Sequence, residues 1–525
     1  VQNEISSNET DVKCKDISLK KRYITKLISN ILVLIANVVM QSIIPRALGP
    51  VSYGNFNYVT NFFQQLIGFL NFNTSTTFYT KLSQRQDDKG LVAFYLNFIL
   101  LLGVIVALFV SAGFALGIRH AVWPDQEIIF IVLGALWAFL SFCFTVFSEM
   151  SDAYGLTVKS EIAKLTLKLL GLAIILVMFW LDIIDLTNFF GYQLFLLIIS
   201  IGIVTSIIRQ SGHHLHFNWR LKRAQWQNYS SEFIIFCLPL VVFTGVATLQ
   251  GIFERWLLQK YSGSSEQGFY GLAFQIGSIC FLFTSAMIPL LAREYSISFA
   301  KNDLQEMKRL FLRFVPLLYA ITAYFGCFLA IESKKVMLIF GGKSYSGAIL
   351  PIAIMCFYPL HQTYGQMNAS LFFAAGRTIA YRNIGIFMIV LSLPLSFFLI
   401  GPGEYGALNS GATGLAAKMV AIQLLSTNLQ LFYIARLLKL PFLKLLGHQA
   451  IIVLIFVPVA IASSYAVSII LSAGNVFEQF LLSGAMYSLG IFALVLAFPV
   501  LCAMQREEFQ RLWSSLRSRI GGASR

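Results

Sequence analysis

A few charged and amide side chains interrupt stretches that are otherwise apolar, and their types set the chemistry open to them. Arg255 lies in an apolar run from 232 to 257. A guanidinium in a partly dry site can hold a diphosphate through paired charge-assisted hydrogen bonds; near the outer end of its run it could equally snorkel to the interface. Lys164 and Lys168 share a helical face with Glu161 by i, i+3, i+7 spacing. Such a pair can capture an anionic headgroup, or snorkel with Glu161 as partner. Lys418 lies deep in another run, and Arg46 follows the first. Asn57, Asn61 and Gln64 fall close to one helical stripe, with Gln65, Asn71 and Asn73 nearby and Asn37 and Gln41 in the preceding run. Amides both donate and accept, which suits sugar hydroxyls and suits helix-to-helix hydrogen bonds as well. Glu254 and Glu149 are the candidates for coupling to a proton or sodium ion; no other cofactor is expected.

The elements that must position these groups are membrane helices. Of 525 residues, 57% are hydrophobic and 12% charged, where a soluble domain carries about 25% charge. A span needs about 20 mostly apolar residues. Fourteen runs meet that length: 23 to 44, 53 to 73, 91 to 118, 127 to 149, 161 to 181, 188 to 208, 232 to 257, 267 to 291, 311 to 332, 346 to 373, 382 to 401, 411 to 435, 448 to 470 and 477 to 503. The first 22 residues are polar, with no cleavage site after a short apolar core, and read as a retained cytoplasmic tail.

Most of the 39 Lys and Arg then fall on inward segments; at or near the outside are Arg46, Arg119, Arg255, Lys260, Lys334, Lys335 and Lys343. This is the positive-inside pattern, and it puts both termini in the cytoplasm. The net charge of +15 therefore needs no nucleic-acid partner. The inward loop from His213, His214 and His216 to Arg220, Lys222 and Arg223 reads as topology plus anionic headgroups, since three imidazoles without a nearby Cys or carboxylate are a weak metal set. The 7 cysteines form no CxxC pair and behave as small hydrophobes. The tenth run holds Pro351, Pro359, His361, Gln362, Gln366 and Asn368; its two prolines predict a kink, and mark it as the candidate moving helix. His361 there reads first as a packing residue and second as a proton carrier.

An internal repeat organises the chain. One offset of 214 pairs Arg46 with Lys260, Gly49 with Gly263, Gly54 with Gly268 and Phe56 with Tyr270, and an offset of 221 pairs Gly155 with Gly376. The expectation is an all-α polytopic membrane protein with two parallel-repeat six-helix lobes around a central cleft, plus two extra helices. The parts are a tail 1–22, a lobe 23–210, a basic linker 211–231, a second lobe 232–437, two further spans 438–503 that could be a lipid-facing appendage, and a basic tail 504–525.

The Arg-x-Leu-Gly-x-x-x-Tyr-Gly turn from Arg46 to Gly54, followed by many spans and a basic tail, resembles the polysaccharide transporter branch of the multidrug/oligosaccharidyl-lipid/polysaccharide exporter superfamily. That resemblance covers about residues 23 to 437. It implies a V-shaped pair of lobes, alternating access in a bacterial inner membrane, and export of undecaprenyl-diphosphate-linked O-antigen or capsule units, with polysaccharide polymerase machinery as a partner. The two extra spans are similar to the fourteen-span lipid II flippases. A multidrug cation antiporter of the same superfamily is the rival; it wants buried carboxylates, whereas the charges nearest mid-span are mainly Lys and Arg. An enzyme is not expected, since no outer loop is long enough to house a catalytic site.

Overall fold

The computed structural model describes the backbone of residues 2–213, 223–471 and 474–502, with side chains at 32 and from 35 onward except at 236, 239, 240, 282, 283, 285, 286, 500 and 502. His214, His216, Arg220, Lys222 and the tail 504–525 lie outside the described residues, as do the side chains of Lys26 and Asn30. The described residues are helical with no strand, and 9 helices among them are long and apolar enough to cross a membrane.

The chain divides into two compact units, Val1–Lys260 and Tyr261–Arg525. In the first, the first two spans run as one kinked helix, Gln2–Asn71, bent at Gly49 (φ 71°, ψ 170°). That region of backbone space is essentially restricted to glycine, and Pro50 follows without an amide donor. The seventh and eighth spans share the helix Arg223–Ile279, bent at Gly263 (φ 83°, ψ −177°). The two glycines related by the 214-residue offset thus hold one conformation. Gly155 and Gly376 also share positive φ, 74° and 64°. A Cβ at Gly49 or Gly263 would meet nothing within 4 Å, so alanine there costs backbone strain alone. We expect Gly49→Ala and Gly263→Ala each to lower stability by about 1–3 kcal/mol, read as a fall in Tm of the purified protein; an unchanged Tm would remove the strain argument.

The second span breaks at Phe72 and Asn73, both at positive φ, and resumes as Thr74–Gln84. Lys89–Ala115, Ile128–Ala153, Thr157–Trp180 and Leu186–Gln210 complete the first set of spans. One core cluster gathers Phe78, Tyr95, Val146 and Ile208; another gathers Tyr58, Phe63, Ile131 and Trp123.

The expected lobe boundary at 231/232 differs from the observed division, which keeps residues 223–260 with the first unit. Polar pairing explains this. Glu232 binds Lys81 at 2.8 Å and Arg85 at 2.6 Å, and Tyr229 donates to Asp88 at 2.8 Å. The bond to Glu232 pushes the Arg85 guanidinium above its ordinary value. Higher up, Asn73 donates to Thr244 at 3.3 Å, and Trp256 Nε1 to the carbonyl of Ala121 at 2.6 Å.

In the second unit the eighth span continues as Leu282–Ala300, followed by Leu304–Ile331. The tenth span is split into Ile349–Met355 and Tyr358–Ala374. Pro351 and Pro359 each occupy the first turn of their piece, where a missing N–H costs least. Thr378–Ile400 and Gly411–Leu438 come next. The last two helices, Phe442–Ile470 and Val476–Ala497, are more than an appendage. They supply Ile452, Phe456, Ala460, Tyr487 and Ile491 to the core of this unit, while Leu454, Tyr465 and Leu489 are exposed on their other faces. The buried Glu332 pairs with Lys335 at 2.8 Å, and Lys335 donates to Ser483 of the last helix at 3.2 Å.

Candidate functional site

The second span turns two unlike faces to its surroundings. Tyr58, Phe62 and Phe63 are buried against Trp123, whereas Asn57 and Asn61 are half-buried and Gln64 and Gly68 are exposed. Positions 57, 61, 64 and 68 recur at helical spacing, so the uncovered face is the polar one. In membrane helices, polar side chains of this kind ordinarily face the bundle interior or a water-filled cavity and not lipid. Asn57 Nδ2 donates to the carbonyl of Tyr53 at 2.7 Å. The Oδ1 of Asn61 is buried with no hydrogen-bond partner among the described residues, and so is the Oε1 of Gln41. Asn37 is half-buried.

The seventh span brings a cation to this stripe. Gly251 lies against Gln65, where an added Cβ would stand 3.2 Å from Nε2. One turn on, Arg255 is half-buried and its charge acts on the Tyr53 hydroxyl. Arg255, Tyr53 and Asn57 therefore form one neighbourhood within the first unit. Glu254 is buried and accepts from Gln250 Nε2 at 2.7 Å. Lys260 stacks over Trp256, 4.7 Å from the ring centroid.

Other candidates stand apart or are already engaged. Lys164 is bound to Glu161 at 3.0 Å, the local partner that its spacing allowed. Lys168, one turn deeper, is half-buried and has no ion pair among the described residues. Arg46 is exposed. Lys418 belongs to the second unit, where it is 1% exposed. Glu149 acts on Tyr95 and stands beside Asp152; its Oε2 is buried without a hydrogen-bond partner among the described residues.

Two polar groupings were not foreseen. Asn71 Oδ1 accepts from Thr74 at 2.6 Å and from Tyr95 at 3.3 Å at the break in the second span. Gln423 donates to Gln362 in the second unit, and Asn368 donates to the carbonyl of Thr427 at 3.0 Å. The Asn-Phe-Asn run at 71–73 was the available signal for the first. For the second, only the density of amides in the tenth span was visible. Among the described residues no group of three His, Cys, Asp or Glu could hold a metal ion.

No family model matches the sequence, and no curated protein matches it significantly. Solved structures do resemble the fold. A lipid II flippase MurJ in an inward closed conformation aligns with TM-score 0.63 at 13% identity over 90% of this chain and 98% of its own. An inward-facing MATE multidrug resistance transporter of the MOP superfamily aligns with TM-score 0.57 at 14% identity over 80% of this chain and 99% of its own. A MOP superfamily transporter from Pyrococcus furiosus, with a binding pocket of reversed polarity, aligns with TM-score 0.54 at 12% identity over 80% of this chain and 95% of its own. The chain therefore carries the helical fold shared by MurJ and MATE proteins.

Proposed function

We propose that the chain is a flippase that moves an undecaprenyl-diphosphate-linked oligosaccharide, an O-antigen or capsule repeat unit, from the cytoplasmic to the periplasmic leaflet of a bacterial inner membrane. The carrying observation is the polar stripe of the second span with Arg255 beside it. Amides at 57, 61 and 64 offer donors and acceptors to sugar hydroxyls, and the guanidinium offers a fork to a diphosphate. The broader overlap with MurJ than with MATE, 90% against 80% of this chain, supports a lipid-linked substrate, since it takes in more of the chain. Alternating access would then expose the stripe to each side in turn, with membrane lipids around it and the polymerase machinery receiving the product.

A second reading, an organic-cation antiporter, is favoured by one observation. Glu149 keeps a buried carboxylate oxygen without a hydrogen-bond partner among the described residues, as a cation site would require. Under either reading, Glu149 and Glu254 are the acidic candidates for a coupling proton or sodium ion.

The test is translocation of a fluorescent polyprenyl-diphosphate sugar in proteoliposomes, beside uptake of an organic cation in the same vesicles. Movement of the lipid-linked sugar alone is the expected result. Cation uptake with no movement of the lipid would replace the flippase by the antiporter.

A further inference from the structure

The second unit holds two imidazoles that nothing in the substrate stripe uses. Tyr319 of Leu304–Ile331 stands between them, with ring centroids 6.3 Å from His361 and 6.3 Å from His448. His448 Nε2 approaches the carbonyl of Leu501 at 3.0 Å. A carbonyl can only accept, so the proton sits on Nε2 and the lone pair on Nδ1. That Nδ1 is buried with no hydrogen-bond partner among the described residues, and the same holds for Nδ1 of His361.

No charged group acts on either ring. Elsewhere in the same unit Asn368, fully buried, and Gln430, 6% exposed, also keep a side-chain oxygen without a partner among the described residues. Buried polar atoms left in this state are ordinarily met by ordered water. The titratable neighbours from the packed helices are tyrosines: Tyr319, Tyr364 one turn from His361, and Tyr295 in the same core. Arg293, Glu294, Arg313, Lys418 and Arg436, carried by those helices, are not among the groups acting on either imidazole.

Depth orders the three groups. His448 lies six residues from Phe442, about 9 Å along its helix, and His361 lies thirteen residues from Ala374, about 20 Å. Both helix ends are on the side that the charge pattern assigns to the cytoplasm.

We infer that His448, Tyr319 and His361 form a water-bridged proton path from the inner end of the second unit to mid-membrane, where protonation of His361 couples transport to the proton gradient. This rests on the transporter reading above. A proton adds to His448 Nδ1 while Nε2–H stays on Leu501, giving an imidazolium. Water then takes that proton to the Tyr319 hydroxyl, which gives up its hydrogen bond to the carbonyl of Gln449 at 3.4 Å and releases its own proton through water to His361 Nδ1. His448 returns to neutral, and only N–H and O–H bonds are exchanged.

The first measurement is ring-nitrogen NMR of the full chain in nanodiscs with labelled histidine, its 6 imidazoles assigned by His361→Gln and His448→Gln. Lowering the pH should protonate both buried rings, and Tyr319→Phe should slow proton exchange at His361 while leaving that at His448. A His361 ring that stays in one state throughout, or that ignores Tyr319→Phe, would overturn the path. The second measurement is lipid-linked sugar accumulation under an imposed gradient of one pH unit, which can drive about a tenfold ratio per proton. His361→Gln should abolish that ratio and keep downhill movement; an unchanged ratio would overturn the coupling. If the unmodified protein moves no lipid-linked sugar, the flippase reading falls, while the NMR arm still decides the path.

Discussion

Arg255→Ala should slow translocation of a polyprenyl-diphosphate sugar by roughly ten- to a hundredfold with little change in Tm. A hydrogen bond to a charged group is worth about 1.5–3 kcal/mol, and a diphosphate offers the guanidinium two such bonds. Arg255 is half-buried, so part of that energy is lost to water, which keeps the expected loss within the range of one bond. Arg255→Lys retains the charge and loses the planar fork, and should fall between. Tyr53→Phe removes the hydroxyl on which Arg255 acts and should cost less than either. The decisive readout is the initial rate in vesicles loaded with equal amounts of folded protein. An Arg255→Ala protein flipping at the unmodified rate would assign Arg255 to the interface instead.

Trp123→Ala should destabilise the first unit by about 3–5 kcal/mol, the largest effect expected of a single substitution here. The indole is fully buried in a short loop segment, packed on Phe62 and Phe63 at 5.7 and 5.9 Å and on Phe109 at 5.8 Å. Gly113 makes room for it, since a Cβ there would stand 2.7 Å from the ring. The same residues form the apolar back of the polar stripe, so loss of the indole loosens the helix that carries Asn57 and Asn61. Thermal unfolding in one fixed detergent measures the effect. Trp123→Phe keeps part of the volume and should lose less than half as much stability. A shift below that of Gly49→Ala would show that the loop does not anchor this core.

The nine described helices long and apolar enough to cross a membrane were legible because each is a long apolar run, and lipid leaves a backbone no option but to bond within itself. The kinks at Gly49 and Gly263 were legible because a local turn depends on local residues. Partnerships between distant helices were not. Nothing in the sequence near Glu232 announces that Lys81 and Arg85 will meet it, so the grouping of the seventh span with the first unit stayed hidden. Lys418 shows the same limit: periodicity puts it inside a span, but only packing buries it. Lys164 was readable because its partner is three residues away. The polar stripe was half readable, since spacing aligned Asn57, Asn61 and Gln64 but could not say that this face stays uncovered.

The placement of Ile452, Phe456 and Tyr487 inside the second unit has a consequence for synthesis. Helices made earlier, from Leu291 to Leu438, contribute most of that core but cannot close it until the final hairpin has left the ribosome. Domains fold as units during translation, at about 5–20 residues per second, so this half stays open for about 10–40 seconds after its first helix is made. During that interval Tyr319, Tyr324 and Phe328 face lipid or an insertion factor in place of their final neighbours. A stop codon after Leu438 should therefore yield a protein cleared by membrane proteases, not a stable shortened one.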